Sequence, residues 1–192
     1  MLNKSIVHLT DEDIVQRIIS EGQSGLFEIL YKRYQPKVFD KVNSFIKDRQ
    51  KSEEFTNDIL SKVYEKLPGF KGNSAISSWI FSITYNYCID YLRFQKKLHY
   101  PDWNRNNDLH EIPDETEEDL SGVTYENLMK ILEMVHPEEK ALVLMKYQDE
   151  LSLKQIASTL RISEDAVKMR LKRARTRIIF FYKQHFQGQN LR

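Results

Sequence analysis

Nine charged residues lie between Glu164 and Lys183, and seven of them are basic. If Val167, Leu171, Ala174 and Ile178 turn inward at helical spacing, then Lys168, Met169, Lys172 and Arg173 share an outward strip. Such a strip can look into a DNA major groove, where lysine and arginine donate to base edges. Arg170, Arg175 and Arg177 flank it at positions suited to phosphates. The plainer alternative is a solvated basic helix. A second cluster runs from Phe70 to Trp103 and holds nine of the chain's 22 aromatic residues, with Lys71, Arg93, Lys96 and Lys97 interleaved. Rings beside cations can stack unpaired bases at about 1–3 kcal/mol each. Many of these rings must also be core, because Trp79, Ile80, Ile83 and Tyr87 fall at helical spacing.

Catalytic chemistry finds little support. His8, His99, His110, His136 and His185 are scattered without ligand spacing. There is no phosphate-binding glycine loop and no nucleophile elbow. Glu53, Glu54 and Asp58 lie close together, so a metal-dependent nuclease or recombinase is one alternative. A solvated face or a protein contact is the simpler account. Cys88, in an aromatic helix, reads as a small core residue. No metal, cofactor or catalytic residue is expected.

The elements that must position these residues are helical throughout. Thr10 to Asp13 reads as a capped start, followed by Ile14, Val15, Ile18 and Ile19. Leu26, Phe27, Leu30, Tyr31 and Tyr34 continue the period until Pro36, which should break or restart the helix. Val38, Phe39, Val42, Phe45 and Ile46 form a third stripe. Phe55, Ile59, Leu60, Val63, Tyr64 and Leu67 form a fourth, stopped by Pro68-Gly69. Further on, Leu128, Ile131, Leu132 and Val135 precede a restart at Pro137. Ser152 to Gln155 is a capping box, and Arg161-Ile162-Ser163 a tight connection into the basic helix. Two short helices on such a turn describe a helix-turn-helix.

The formal net charge of +1 hides a strong segmentation. Residues 1–97 sum to +3, residues 98–121 to −7 and residues 122–192 to +5. The acidic middle, with Pro101 and Pro113, reads as an extended linker between two small all-α domains. The longest strongly apolar run, Ile178 to Tyr182, is far too short to insert into a membrane. Met1 to Thr10 has no apolar stretch suited to a secretion signal. A single cysteine excludes an internal disulfide and fits the cytoplasm.

The order of segments resembles a bacterial RNA polymerase sigma factor of the sigma-70 family, in its extracytoplasmic-function group. Phe70 to Asn86 is similar to that group's F-x-G-x-S-x-x-x-W-L-x-x-I-x-x-N signature, with one residue more between Ser74 and Trp79, and Asp90, Leu92 and Arg93 to its D-x-L-R ending. Leu151 to Ala157 resembles L-S-x-x-E-I-A, and Val167 to Arg175 resembles V-K-S-R-L-x-R-A-R. Glu54 to Leu60 stands where the family shows D-L-x-Q-E-x-F, with Asn57 for Gln and Leu60 for Phe. Met169 replaces a common Ser, and Asp165-Ala166 a common Gly-Thr.

The resemblance implies roles for both lobes. Residues 1–97 would be region two, meeting core RNA polymerase through Glu54, Phe55, Asn57, Asp58 and Leu60. Its minus-10 contacts would come from Lys71, Asn73, Ser74, Ala75, Ile76, Asn86 and Arg93, which would hold a flipped base from single-stranded DNA. Extruding that base costs a few kcal/mol. Residues 122–192 would be region four, with Lys168, Met169, Arg170, Lys172, Arg173 and Arg175 on the double-stranded minus-35 element. The acidic linker would thread toward the polymerase's basic RNA path. An anti-sigma factor is an expected partner. The alternative to a sigma factor is a free-standing helix-turn-helix regulator whose N-terminal domain senses a ligand or dimerises.

Overall fold

A computed structural model describes residues 9–96 and 124–187. The linker expected at 98–121 lies outside the described residues. The chain divides into two compact units, Met1–Cys88 and Ile89–Arg192. Every regular element among the described residues is helical.

Four helices account for most of residues 9–96: α1 (Asp11–Glu21), α2 (Phe27–Ile46), α3 (Arg49–Lys66) and α4 (Ile76–Lys96). Thr10 caps α1 in a reciprocal box with Asp13, so two otherwise unpaired amides are satisfied at once. Lys47 takes a left-handed conformation at the end of α2, and Asp48 accepts from the Lys51 amide to start α3. The two-residue link lays α2 and α3 side by side, where they pack extensively. The core of this unit includes Ile14, Leu30, Val38, Val42, Ile59, Leu60, Val63, Leu67 and Ile80, each at or below 1% exposure.

Pro36 does not break the helix as its sequence position suggests. It sits inside a continuous α2, on the solvent side. Proline removes one amide donor and crowds the carbonyl one turn back, at about 3 kcal/mol. Here Leu30 and Tyr34 before it and Val38, Val42 and Phe45 after it share one buried stripe. That burial carries the helix through, and water can reach the freed carbonyl.

In the second unit come α5 (Tyr125–Leu132), α6 (Pro137–Val143), α7 (Leu153–Leu160) and α8 (Glu164–Tyr182). Thr124 caps α5, and Ser152 caps α7 through the expected box with Gln155. Arg161 is left-handed (φ 57°) and ends α7; Ser163 then accepts from the Ala166 amide to open α8. This three-residue turn sets α7 against α8, and α5 and α6 also pack on α8.

Candidate nucleic-acid interface

Helix α8 separates its faces as the spacing predicts. Val167, Leu171, Ala174 and Ile178 are buried. Lys168, Met169, Lys172, Arg173 and Arg175 are exposed, Met169 at 53%. Lys168 forms an ion pair at 3.1 Å with Asp165, a turn back on the same exposed surface. Four cationic side chains and one thioether therefore project from a helix seated on a dry seam.

Two arginines of this helix turn inward instead. Arg177 is 3% exposed and binds both oxygens of Glu139, itself 1% exposed. It ties α6 to α8 and is no phosphate contact, which corrects the expectation drawn from its charge. Arg170 Nη1 donates to Glu138 Oε2 at 2.8 Å, and Arg93 Nε donates to Oε1 of the same buried carboxylate at 2.9 Å. Lys140, also buried, reaches Glu133 at 2.7 Å. Charged groups this deep are tolerated because each meets a counter-charge.

His136 opens α6, its Nδ1 accepting from the Glu138 amide at 3.1 Å. Burial pushes its pKa down to about 4; Glu138 opposes this, while Arg177, Arg170 and Arg93 add to it. The depressed pKa makes neutral His136 the native form. Its contribution is complete above about pH 6.5 and is lost as pH falls toward 4. Denaturant titrations of the full chain should show the second unit weakening by on the order of 2–3 kcal/mol across that window. A His136→Asn variant should lack that dependence, and an unchanged profile would contradict the cap.

The loop 70–75 carries the second candidate surface. Lys71, Asn73 and Ala75 are exposed and Ser74 half-buried, around Gly72 at φ 68°. Asn86 is half-buried on α4. Ile76 is 1% exposed; its side chain anchors the loop in the core instead of facing a base. Of the aromatics, Tyr85 is fully buried, Phe70 packs on Trp79 (5.2 Å between centroids), and Phe94 is 83% exposed. Lys41 of α2 lies over Phe81 at 4.4 Å, so part of the aromatic–cation interleaving is internal. Tyr100 and Trp103 lie outside the described residues.

On α3, Glu54, Asn57 and Asp58 are exposed. Tyr31 of α2 donates to Asn57 Oδ1 (2.7 Å), and Tyr87 of α4 to Asp58 Oδ2 (2.8 Å). Burial and the Asp58 carboxylate raise the Tyr87 pKa well above its ordinary value, so the phenol stays a donor. Phe55 and Leu60 are 8% and 1% exposed, which corrects their expected role as surface contacts: both belong to the stripe that packs α3 onto its neighbours. The sequence did not single out the groove beside them, of about 500 Å³, lined by Phe27, Tyr31, Leu60 and Tyr64 with Glu28 and Glu65 at its rim. Its signal is Tyr64, a large ring left 45% exposed at the edge of an apolar stripe. Glu53 pairs with Arg49 at 3.1 Å. Among the described residues, no group of three or more His, Cys, Asp or Glu is placed to hold a metal ion. Nor is any helix there long and apolar enough to cross a membrane. Cys88 is buried, and burial raises its thiol to about 12.

Comparison with known proteins matches both units. The sigma-70 region 2 family profile aligns with residues 30–98, and the sigma-70 region 4 profile with residues 125–178. The ECF RNA polymerase sigma factor SigX of Bacillus subtilis (strain 168) is 25% identical over 152 residues, 74% of this chain and 76% of that one. The ECF RNA polymerase sigma-E factor of Escherichia coli (strain K12) is 25% identical over 179 residues, 88% of this chain and 93% of its own. The fold is shared with CnrH, solved in complex with the cytosolic domain of CnrY (TM-score 0.58, 16% identity, 90% of this chain and 97% of that one). It is shared too with RpoE of Bartonella quintana, solved with the anti-sigma factor NepR (TM-score 0.55, 19% identity, 82% and 96%). Helical units that match regions 2 and 4 in chain order, the second carrying its basic helix on a buried seam, are accounted for together: the chain belongs to the extracytoplasmic-function group of the sigma-70 family, non-enzymatic factors that direct RNA polymerase to initiate transcription.

Proposed function

We propose that the three exposed surfaces divide the work of initiation. The α8 strip of Lys168, Met169, Lys172 and Arg173 reads the minus-35 major groove, and Arg175 holds a neighbouring phosphate. The observation that carries this reading is the exposure of all five side chains on a helix whose opposite seam is buried. Arg170 and Arg93 reach DNA only by leaving Glu138. Lys71, Asn73, Ser74 and Ala75, with Asn86, take the flipped minus-10 base. Core polymerase meets the exposed face of α3 through Glu54, Asn57 and Asp58, while Phe55 and Leu60 support that face from beneath.

The functional bounds follow as region two at 1–97, an acidic linker at 98–121 and region four at 122–192. The linker's charge of −7 suits a basic RNA path. An anti-sigma factor is a fitting partner, because the RpoE of similar fold was solved with one. The protein works in the cytoplasm, where promoter DNA and polymerase meet.

The α3 assignment is tested by separating functions. Asp58→Lys should weaken binding to purified core polymerase by tenfold or more, a loss of about 1.4 kcal/mol. Saturating core should restore the wild-type promoter preference. Unchanged core affinity in both Asp58→Lys and Asn57→Ala would remove α3 from the interface.

A further inference from the structure

Helix α1 brackets the minus-10 loop at both ends. The turn Leu67–Gly69, from which the loop leaves α3, packs on α1. At the other end the amide of Ile76, the first residue of α4, lies 3.5 Å from Glu12 Oε1. A helix's first amides have no partner within the helix, and a carboxylate is favoured beside them. The neighbouring Asp11 reaches the same helix by another route. It accepts from the Tyr34 hydroxyl at 2.6 Å and pairs with Arg33, while the Tyr34 ring meets Phe81 of α4 edge-on at 6.2 Å between centroids. Asp11 is held by two side chains, and Glu12 extends, exposed, from the same first turn of α1. The Thr10–Asp13 box sets the turn that holds them, Ile14 and Val15 are buried beneath it, and Tyr34 is 2% exposed.

Between these anchors Lys71, Asn73 and Ala75 are exposed. Their positions therefore depend on how firmly the two ends are held. We propose that α1 is the splint of this loop, and that Glu12 is a positioning residue for minus-10 selectivity, holding the start of α4 where the loop can capture one base in preference to others. This rests on the assignment of loop 71–75 to base capture. Glu12 touches no DNA in this account. Its effect comes from pre-organisation: a loop already shaped for the base spends less ordering free energy on binding it.

The test uses the full chain assembled with purified core polymerase, on templates carrying each of the four bases at the captured minus-10 position. The readout is the ratio of open-complex formation on the matched template to that on the others. Glu12→Ala should lower opening on the matched template by about tenfold, equivalent to about 1.4 kcal/mol, and should shrink the ratio. Glu12→Gln keeps an acceptor oxygen at the same reach and should recover most of both. Core affinity and melting temperature should hold in each variant. An unchanged ratio in Glu12→Ala would overturn the proposal, as would equal losses on all templates with a lowered melting temperature. Asn73→Ala separates the two levels. If it collapses the ratio while Glu12→Ala does not, only the positioning role fails; if it too leaves the ratio intact, the loop assignment fails, and the proposal with it.

Discussion

Arg177→Ala should unfold the second unit well before the rest of the chain. The guanidinium and Glu139 are both almost fully buried and bind each other across α6 and α8. Removing one partner leaves an uncompensated buried charge, at about 3–5 kcal/mol. That is a large part of the total stability of a small domain. Thermal unfolding of the full chain should show a separate, earlier transition, and amides of α6 and α8 should lose their protection from exchange. Glu139→Ala should do the same. Replacing both partners, with Arg177→Met and Glu139→Leu, should recover most of the loss, because neither charge is then stranded. If Arg177 were instead a phosphate contact, Arg177→Ala would keep the melting profile and lower only DNA affinity and its salt dependence.

Lys172→Ala with Arg173→Ala should all but abolish use of minus-35-dependent promoters and leave core binding intact. Each lost base contact costs about 1–3 kcal/mol. Two adjacent losses need not add, yet even about 2 kcal/mol is a roughly 30-fold fall in promoter occupancy. The exposed side of α8 carries both residues, while its stability comes from Val167, Leu171, Ala174 and Ile178. The double variant should therefore melt like the wild type. Arg175→Ala should act differently, weakening all sequences alike and reducing the salt dependence by about one counterion. Measurement of holoenzyme affinity on matched and scrambled minus-35 templates separates these outcomes. Loss of core binding in the double variant would break the division of labour between the units.

Local signals survived folding where they concerned backbone chemistry. The Thr10 and Ser152 boxes, the Ser163 cap and the α8 seam all form as their spacing predicts. The failures came where tertiary packing decides. Pro36 reads as a break because propensity is local, but a shared buried stripe on both sides holds α2 together. Charge alone puts Arg177 with the phosphate-facing arginines, yet it lies three positions after Ala174 and ten after Val167, which places it near the buried seam. Its partner also had a signal, since Glu138-Glu139 follows a proline that starts a short helix against α8. Family resemblance gives Phe55, Leu60 and Ile76 surface roles, but all three are buried, Phe55 and Leu60 as their apolar periodicity predicts. The Glu12–Ile76 contact spans 64 residues, and no local pattern announces it.

Membership in the sigma-70 family makes one demand that a free-standing helix-turn-helix regulator does not meet. Purified core polymerase, free of any other sigma factor, should produce a discrete run-off transcript from a cognate promoter when this chain alone is added. The transcript should vanish when the minus-10 or minus-35 element is scrambled. Transcription that appears only when polymerase already carries another sigma factor would contradict the account and make the chain an auxiliary regulator.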